Sequence, residues 1–302
     1  MLNQDVLKEF IFDARMRKLS ERTIKGYKNN NLRFLRYIEQ EYQITELEET
    51  YPQAIKGYIE YLSSLGRKET YINAIIKTMR TYFTYAINEG YLRKNPMDKI
   101  RLQKAPHTLI TTFNDDEVAR MIKHFKGARF LEVRNKLIMT LLFDTGLRNS
   151  ELCNLKVTDI RDTYIFVNGK GKKQRAVPVS PILNKQIIKY NRTRELYIKD
   201  KFAYQTEYYL LSQKGRKLTV EAIERIVKDC GVACNVRKGI RISPHTCRHY
   251  FAQAQLKNGC DLYTLSRLMG HTNPNITKIY LRSMNDEDFL DLAVGTSPLM
   301  NL

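Results

Sequence analysis

The chain has 302 residues, enough for two domains, and 43% of them are hydrophobic, an ordinary share for a globular protein. Its 51 Lys+Arg against 32 Asp+Glu give a net charge of +19, a surplus that points to a polyanionic partner, with nucleic acid first. No apolar run approaches the ~20 residues of a membrane span, and the N-terminus mixes charges into its apolar residues, so a cytoplasmic protein with no membrane partner is expected. Five cysteines scattered at 153, 230, 234, 247 and 260 fit reduced thiols rather than a disulfide framework. Cys230 and Cys234 with His245 lack a second close pair to complete four ligands, so no metal is expected.

Residues 1–105 read as four helices. Val6, Leu7, Phe10, Ile11 and Ala14 mark the first. Ser20 is an N-cap for a second that carries Ile24, Tyr27, Leu35 and Ile38. A third spans Ala54 to Leu62. After Gly66 a fourth sets Ile72, Ile75, Ile76, Met79, Phe83 and Ile87 on one stripe. Between Gly66 and Lys104 nine basic residues face three acidic ones, and Arg67, Lys68, Lys77 and Arg80 are the expected phosphate contacts, interleaved with Tyr71, Tyr82, Tyr85 and Tyr91. Residues 106–112 read as a linker, and 113–302 as a second domain.

That second domain opens at Asn114, an N-cap followed by Asp115, Asp116 and Glu117 at the positive end of a helix. Arg134 to Phe143 is a strongly apolar helix stopped by Thr145-Gly146. Tyr164 to Asn168 and Arg175 to Val179 suggest a hairpin around a glycine-bearing loop, with Val157 to Ile160 as a third strand. The pattern is helical from Pro181 to Tyr197 and from Val220 to Cys230, with a short strand expected at Tyr208 to Ser212. Pro244 opens a helix on which His245 and Arg248, three residues apart, share a face. Gly270 reads as a helix stop before His271, and Asn273-Pro274 breaks the backbone ahead of Tyr280. Nine residues on one continuous helix would turn His271 and Tyr280 to nearly opposite faces; the break lets them converge.

Three boxes carry a family resemblance: TGLRNSEL at Thr145–Leu152, GKGKKQRAVPV at Gly169–Val179, and HTCR, LMGH and NITKIY running from His245 to Tyr280. In order and spacing they resemble the tyrosine recombinases, the family of phage integrases and the Xer proteins. The resemblance implies a mainly α fold with a small β-sheet: a four-helix, SAM-like core-binding domain, then an α+β catalytic domain, the two clamping a duplex. It implies a site-specific DNA recombinase that cuts and rejoins strands through a covalent 3′-phosphotyrosine, without cofactor. Tyr280 is then the nucleophile, and Arg148 and Arg248 grip the non-bridging oxygens, since guanidinium presents paired donors that fit a phosphate. His245 takes or shares the tyrosine proton, and His271 donates a hydrogen bond to the phosphate. Lys170 is the general acid for the leaving 5′-oxygen, with Lys172 and Lys173 as close rivals. Glu151 orients an arginine or histidine, and Lys172, Lys173 and Arg175 are further DNA contacts. The partners implied are double-stranded recombination sites and a homotetramer on two of them, with the acidic-capped segment 286–294 docking into a neighbour or packing on its own domain. A non-catalytic DNA-binding regulator and a type IB-like topoisomerase are the alternative readings.

Overall fold

The structure, a computed structural model, describes residues 1–106, 110–169, 174–201, 206–271, 273–284, 290 and 293–294, the side chains of 200 and 201 excepted. Lys170, Lys172, Lys173, linker residues 107–109 and most of the segment 286–294 lie outside the described residues. The chain forms two compact units, Met1–His107 and Thr108–Leu302.

The first unit is four helices: α1 (Asn3–Met16), α2 (Glu21–Tyr42), α3 (Pro52–Ser64) and α4 (Glu69–Asn88). The side chain of Ser20 accepts the Thr23 amide at 3.3 Å, and Pro52 opens α3, where its missing N–H loses no helical bond. The α1 stripe Val6, Leu7, Phe10, Ile11 and Ala14 is buried with Ile72, Ile75, Ile76, Met79 and Phe83 of α4, and Met97 and Ile100 close the core. Polar reach from this unit is narrower than expected. Tyr82 is a core residue whose hydroxyl donates to the Asn3 carbonyl at 3.4 Å, and Tyr91 is taken by Glu9. Arg80 turns inward onto the Ile100 carbonyl, whereas Arg67, Lys68, Lys77 and Tyr71 stay exposed.

The second unit holds α5 (Asp115–His124), α6 (Phe130–Thr145), α7 (Asn149–Asn154), β1 (Tyr164–Asn168), β2 (Gln174–Pro178), α8 (Pro181–Lys201), α9 (Val220–Ala233), α10 (Pro244–Lys257), α11 (Leu262–Met269) and α12 (Lys278–Leu281). Asn114 and Glu117 cap α5 reciprocally: the Asn114 side chain accepts the Glu117 amide at 2.8 Å and the Glu117 carboxylate the Asn114 amide at 2.9 Å. Helix α6 is buried nearly all round, as its unbroken apolar run requires, against α5, α8, α9 and α10. A smaller apolar cluster, Phe251, Leu256, Leu265, Met269, Tyr280 and Met284, joins α10, α11 and α12.

β1 and β2 pair antiparallel from Tyr164 with Pro178 to Asn168 with Gln174. The two further strands expected from the β-rich composition are absent among the described residues. Val157–Asp159 is a 3₁₀ turn closed by the Asp159 carboxylate on the Lys156 amide at 2.9 Å, which leaves a single bridge from Ile160 to Ile165. Tyr208 and Leu211 each make one isolated bridge, to Lys156 and Lys217. Local side-chain capping outcompetes the ladder there.

Gly146 ends α6 at φ +59°, and a Cβ built on it would lie 2.3 Å from the Phe251 ring. Gly146→Ala meets both left-handed strain and an immovable ring, so a loss of about 2–4 kcal/mol is expected. It is read as a lowered urea midpoint at unchanged slope.

Candidate active site

Two helix ends build the cationic centre. α6 stops at Gly146 and α11 at Gly270 (φ +63°), and the carbonyls freed there and at Met269 point at guanidiniums rather than at water. Arg148, two residues past the first stop, donates from one terminal nitrogen to the Gly270 carbonyl at 3.1 Å and from the other to Glu151 Oε1 at 2.8 Å. Arg248, 3% exposed on α10, donates to the Gly146 carbonyl and to the Met269 carbonyl at 2.6 Å. Each helix C-terminus carries partial negative charge, so the two arginines sit where helix dipoles favour them.

Glu151 is the buried anion of the cluster. Besides Arg148 it receives Arg175 twice, at 2.9 and 2.8 Å, and the Arg148 amide at 2.8 Å. Burial opposes its ionisation, but Arg175 and Arg148 outweigh it and hold the carboxyl down at about 2. Arg175 was expected on DNA. Instead its side chain is 11% exposed, clasps Glu151 and donates from Nε to the Leu268 carbonyl at 2.7 Å, tying β2 to the end of α11. Glu151 therefore orients two arginines, one of them supplied by the hairpin.

His271 lies with Nε2 3.1 Å from an Arg248 nitrogen and Nδ1 2.8 Å from Thr277 Oγ1. Because guanidinium can only donate, Nε2 accepts and the ring proton sits on Nδ1. Burial and the Arg248 and Arg148 charges push its pKa down to about 4, so the ring is neutral at pH 7. Burial and neighbouring Arg148 also bring Arg248 down to about 10, still charged.

Asn273 caps the 3₁₀ turn Pro274–Ile276, and α12 follows at once, carrying Tyr280 into the apolar cluster at 2% exposure. Burial raises its phenol pKa, while Arg248 and Arg148 pull against that rise, which places Tyr280 within the field of both guanidiniums. The histidine at its hydroxyl is His249, with Nδ1 at 3.1 Å. His245, the residue expected there, is exposed at the start of α10 and packs its ring edge-on against His249, 4.1 Å between centroids. The structure thus gathers Arg148, Glu151, Arg175, Arg248, His271 and Tyr280, keeps His245 at the rim, and adds His249. The sequence signal for His249 was slight: it stands one helical turn after His245, and its contact with Tyr280 spans 31 residues.

Comparison with known proteins finds matches over both units of the chain. The phage integrase family description matches residues 111–287, and the phage integrase SAM-like domain description matches 5–102. Tyrosine recombinase XerC of Thermodesulfovibrio yellowstonii is 30% identical over 264 residues, 86% of this chain and 85% of that protein. XerD of Oceanobacillus iheyensis is 31% identical over 267 residues, 87% and 88% of the two chains. Among solved structures, XerH recombinase bound to palindromic difH in a post-cleavage complex shares the fold at TM-score 0.75, with 20% identity over 94% of this chain and 82% of that one. A lambda integrase tetramer on a Holliday junction does so at 0.72, with 18% identity over 93% and 77%.

The Glu151 carboxyl is lowered in the folded state, so its contribution to stability is full above its ordinary value of 4.5 and is lost as pH falls toward about 2. Glu151→Gln should therefore flatten the acid limb of a stability-versus-pH curve between about pH 4.5 and 2. It should also destabilise the protein by about 3 kcal/mol at pH 7, measured by urea denaturation.

Proposed function

This chain belongs to the phage integrase family of tyrosine recombinases, and on that premise we propose that it cuts DNA at a specific site by attack of Tyr280 on a phosphodiester. The products are a 3′-phosphotyrosine and a free 5′-hydroxyl, which a second strand's 5′-hydroxyl then replaces in the rejoining step. The bond energy stays in the tyrosyl ester, so rejoining needs no nucleotide hydrolysis. A phenol with an ordinary pKa of ~10 is a weak nucleophile at neutral pH, and the surrounding cations are what make its attack competent.

The gathering of Arg148, Arg248 and His271 at two helix ends, with Tyr280 inside the field of both guanidiniums, carries this reading. Arg148 is the more accessible guanidinium, its side chain 39% exposed, and is the first to meet a non-bridging oxygen. Arg248, preorganised by three partners, meets the charge that grows in the transition state. His271 is neutral with its acceptor nitrogen against Arg248, and an incoming phosphate oxygen competes for that Arg248 donor. Lys170 is assigned as the acid for the departing 5′-oxygen, with Lys172 and Lys173 beside it in the sequence, and His245 is placed to face the phosphate from the rim.

Arg67, Lys68 and Lys77, exposed on the first unit, serve as sequence-independent phosphate contacts, in keeping with the net charge of +19. Two copies of the DNA site and four of the chain form the synaptic assembly, with segment 286–294 reaching a neighbour. Among the described residues no helix is long and apolar enough to cross a membrane.

A DNA substrate nicked beside the cleavage point traps the covalent adduct. With Tyr280→Phe the adduct should vanish while DNA affinity stays within about threefold; with Arg248→Ala single-turnover cleavage should fall about 10²–10³-fold. Persistence of the adduct in the phenylalanine variant would remove the assignment.

A further inference from the structure

The phenolic proton of Tyr280 needs a destination, and the choice among nearby groups is narrow. The ring is 2% exposed, so bulk water is kept from the hydroxyl. Arg148 and Arg248 can only donate. The oxygens of Glu151 already receive two guanidiniums and a backbone amide. Both nitrogens of His271 are engaged, by Arg248 and Thr277. His245 makes its ring contact with His249, not with Tyr280. Among the described residues the one acceptor at hydrogen-bond distance from the hydroxyl is His249 Nδ1, at 3.1 Å.

We propose that His249 is a catalytic residue: its Nδ1 holds the Tyr280 hydroxyl and accepts the phenolic proton while the oxygen bonds to phosphorus. The proposal rests on Tyr280 being the nucleophile assigned above. In the forward step the Tyr280 Oη–P bond forms, its proton passes to His249, the P–O5′ bond breaks with its electron pair on oxygen, and that oxygen takes a proton from the general acid. In the return step an incoming 5′-hydroxyl attacks phosphorus, its proton goes back to that acid, and the departing Tyr280 oxygen recovers its own from His249.

Local structure prepares the residue for this. His249 directly follows Arg248, whose guanidinium is pinned by the Gly146 and Met269 carbonyls, so the backbone that carries the imidazole is fixed. Accepting at Nδ1 requires the ring proton on Nε2, and the edge of His245 supports the ring plane. Burial, His245 and Arg248 push the His249 pKa down to about 4. That is far below the free phenol but far above the almost non-basic oxygen of an aryl phosphate ester. Proton transfer is thus uphill before the Oη–P bond forms and downhill once it has, the condition under which a general base acts in concert with bond making.

The test is single-turnover adduct formation on the nicked substrate, using the full chain with tyrosine or 3-fluorotyrosine, a more acidic phenol, at position 280. His249→Ala should slow the adduct about 10²–10³-fold at unchanged DNA affinity. Fluorotyrosine should return about tenfold or more of that loss, while returning little in the parent protein or in Arg248→Ala. His249→Asn, which keeps a polar group near the Nδ1 position without its basicity, should show the same slow rate and the same rescue, and is the variant read if His249→Ala does not fold. A rate within threefold of the parent for either variant, or a loss that fluorotyrosine leaves untouched, would overturn the proposal. An adduct that survives Tyr280→Phe would instead overturn the nucleophile assignment.

Discussion

Two guanidiniums held side by side repel each other, and nearly everything around the candidate site exists to keep Arg148 and Arg248 together without DNA. Three backbone carbonyls do most of it, all released where α6 and α11 stop at a left-handed glycine. Glu151 adds a buried carboxylate that neutralises part of the charge. A side chain at Gly146 would strike Phe251, and one at Gly270 would press on Arg175, so the two stops also keep room for the groups they position.

Burial and the same cationic field together set the state of the titrating neighbours. Burial and the arginines keep His271 neutral, burial with His245 and Arg248 does the same for His249, and the arginines oppose the rise that burial imposes on Tyr280. In the reading proposed above, a phosphodiester arriving at this cluster supplies the negative charge it lacks, so its binding and the activation of the Tyr280 phenol draw on one electrostatic source. Carbonyl acceptors suit that purpose: they satisfy the guanidinium donors in the resting state yet carry no full charge for the phosphate to compete against.

Arg175 links the sheet to this centre. Through Glu151 and the Leu268 carbonyl it ties β2 to α7 and α11, so the hairpin that bears the GKGKK loop is referenced to the arginine platform rather than left to its own two strands. An isolated two-stranded ribbon is marginal in water, and this buried ion pair is what gives it a fixed seat.

Much of this was legible in the chain. Helical stripes such as Val6 to Ala14 and Ile72 to Phe83 fell on the observed cores, because a 3.6-residue period leaves an amphipathic segment only one face to bury. Ser20, Asn114, Gly146 and Gly270 marked helix ends, because capping is local chemistry. The box residues Arg148, His245, Arg248, His271 and Tyr280 stood out by their resemblance, in order and spacing, to the boxes of the tyrosine recombinases. What the sequence could not assign was which partner each polar group takes, since that depends on groups brought together from distant parts of the chain. Arg175 looked like a phosphate contact until the fold laid it on Glu151; Tyr82, interleaved in the sequence with basic residues, became core where α4 packs on α1. The β-rich run at Val157 became a turn because a nearby carboxylate offered the backbone a better bond. His249 differs from His245 only in standing one helical turn further along α10, and tertiary packing alone set it against the Tyr280 hydroxyl, because Pro274 folds α12 back onto that face.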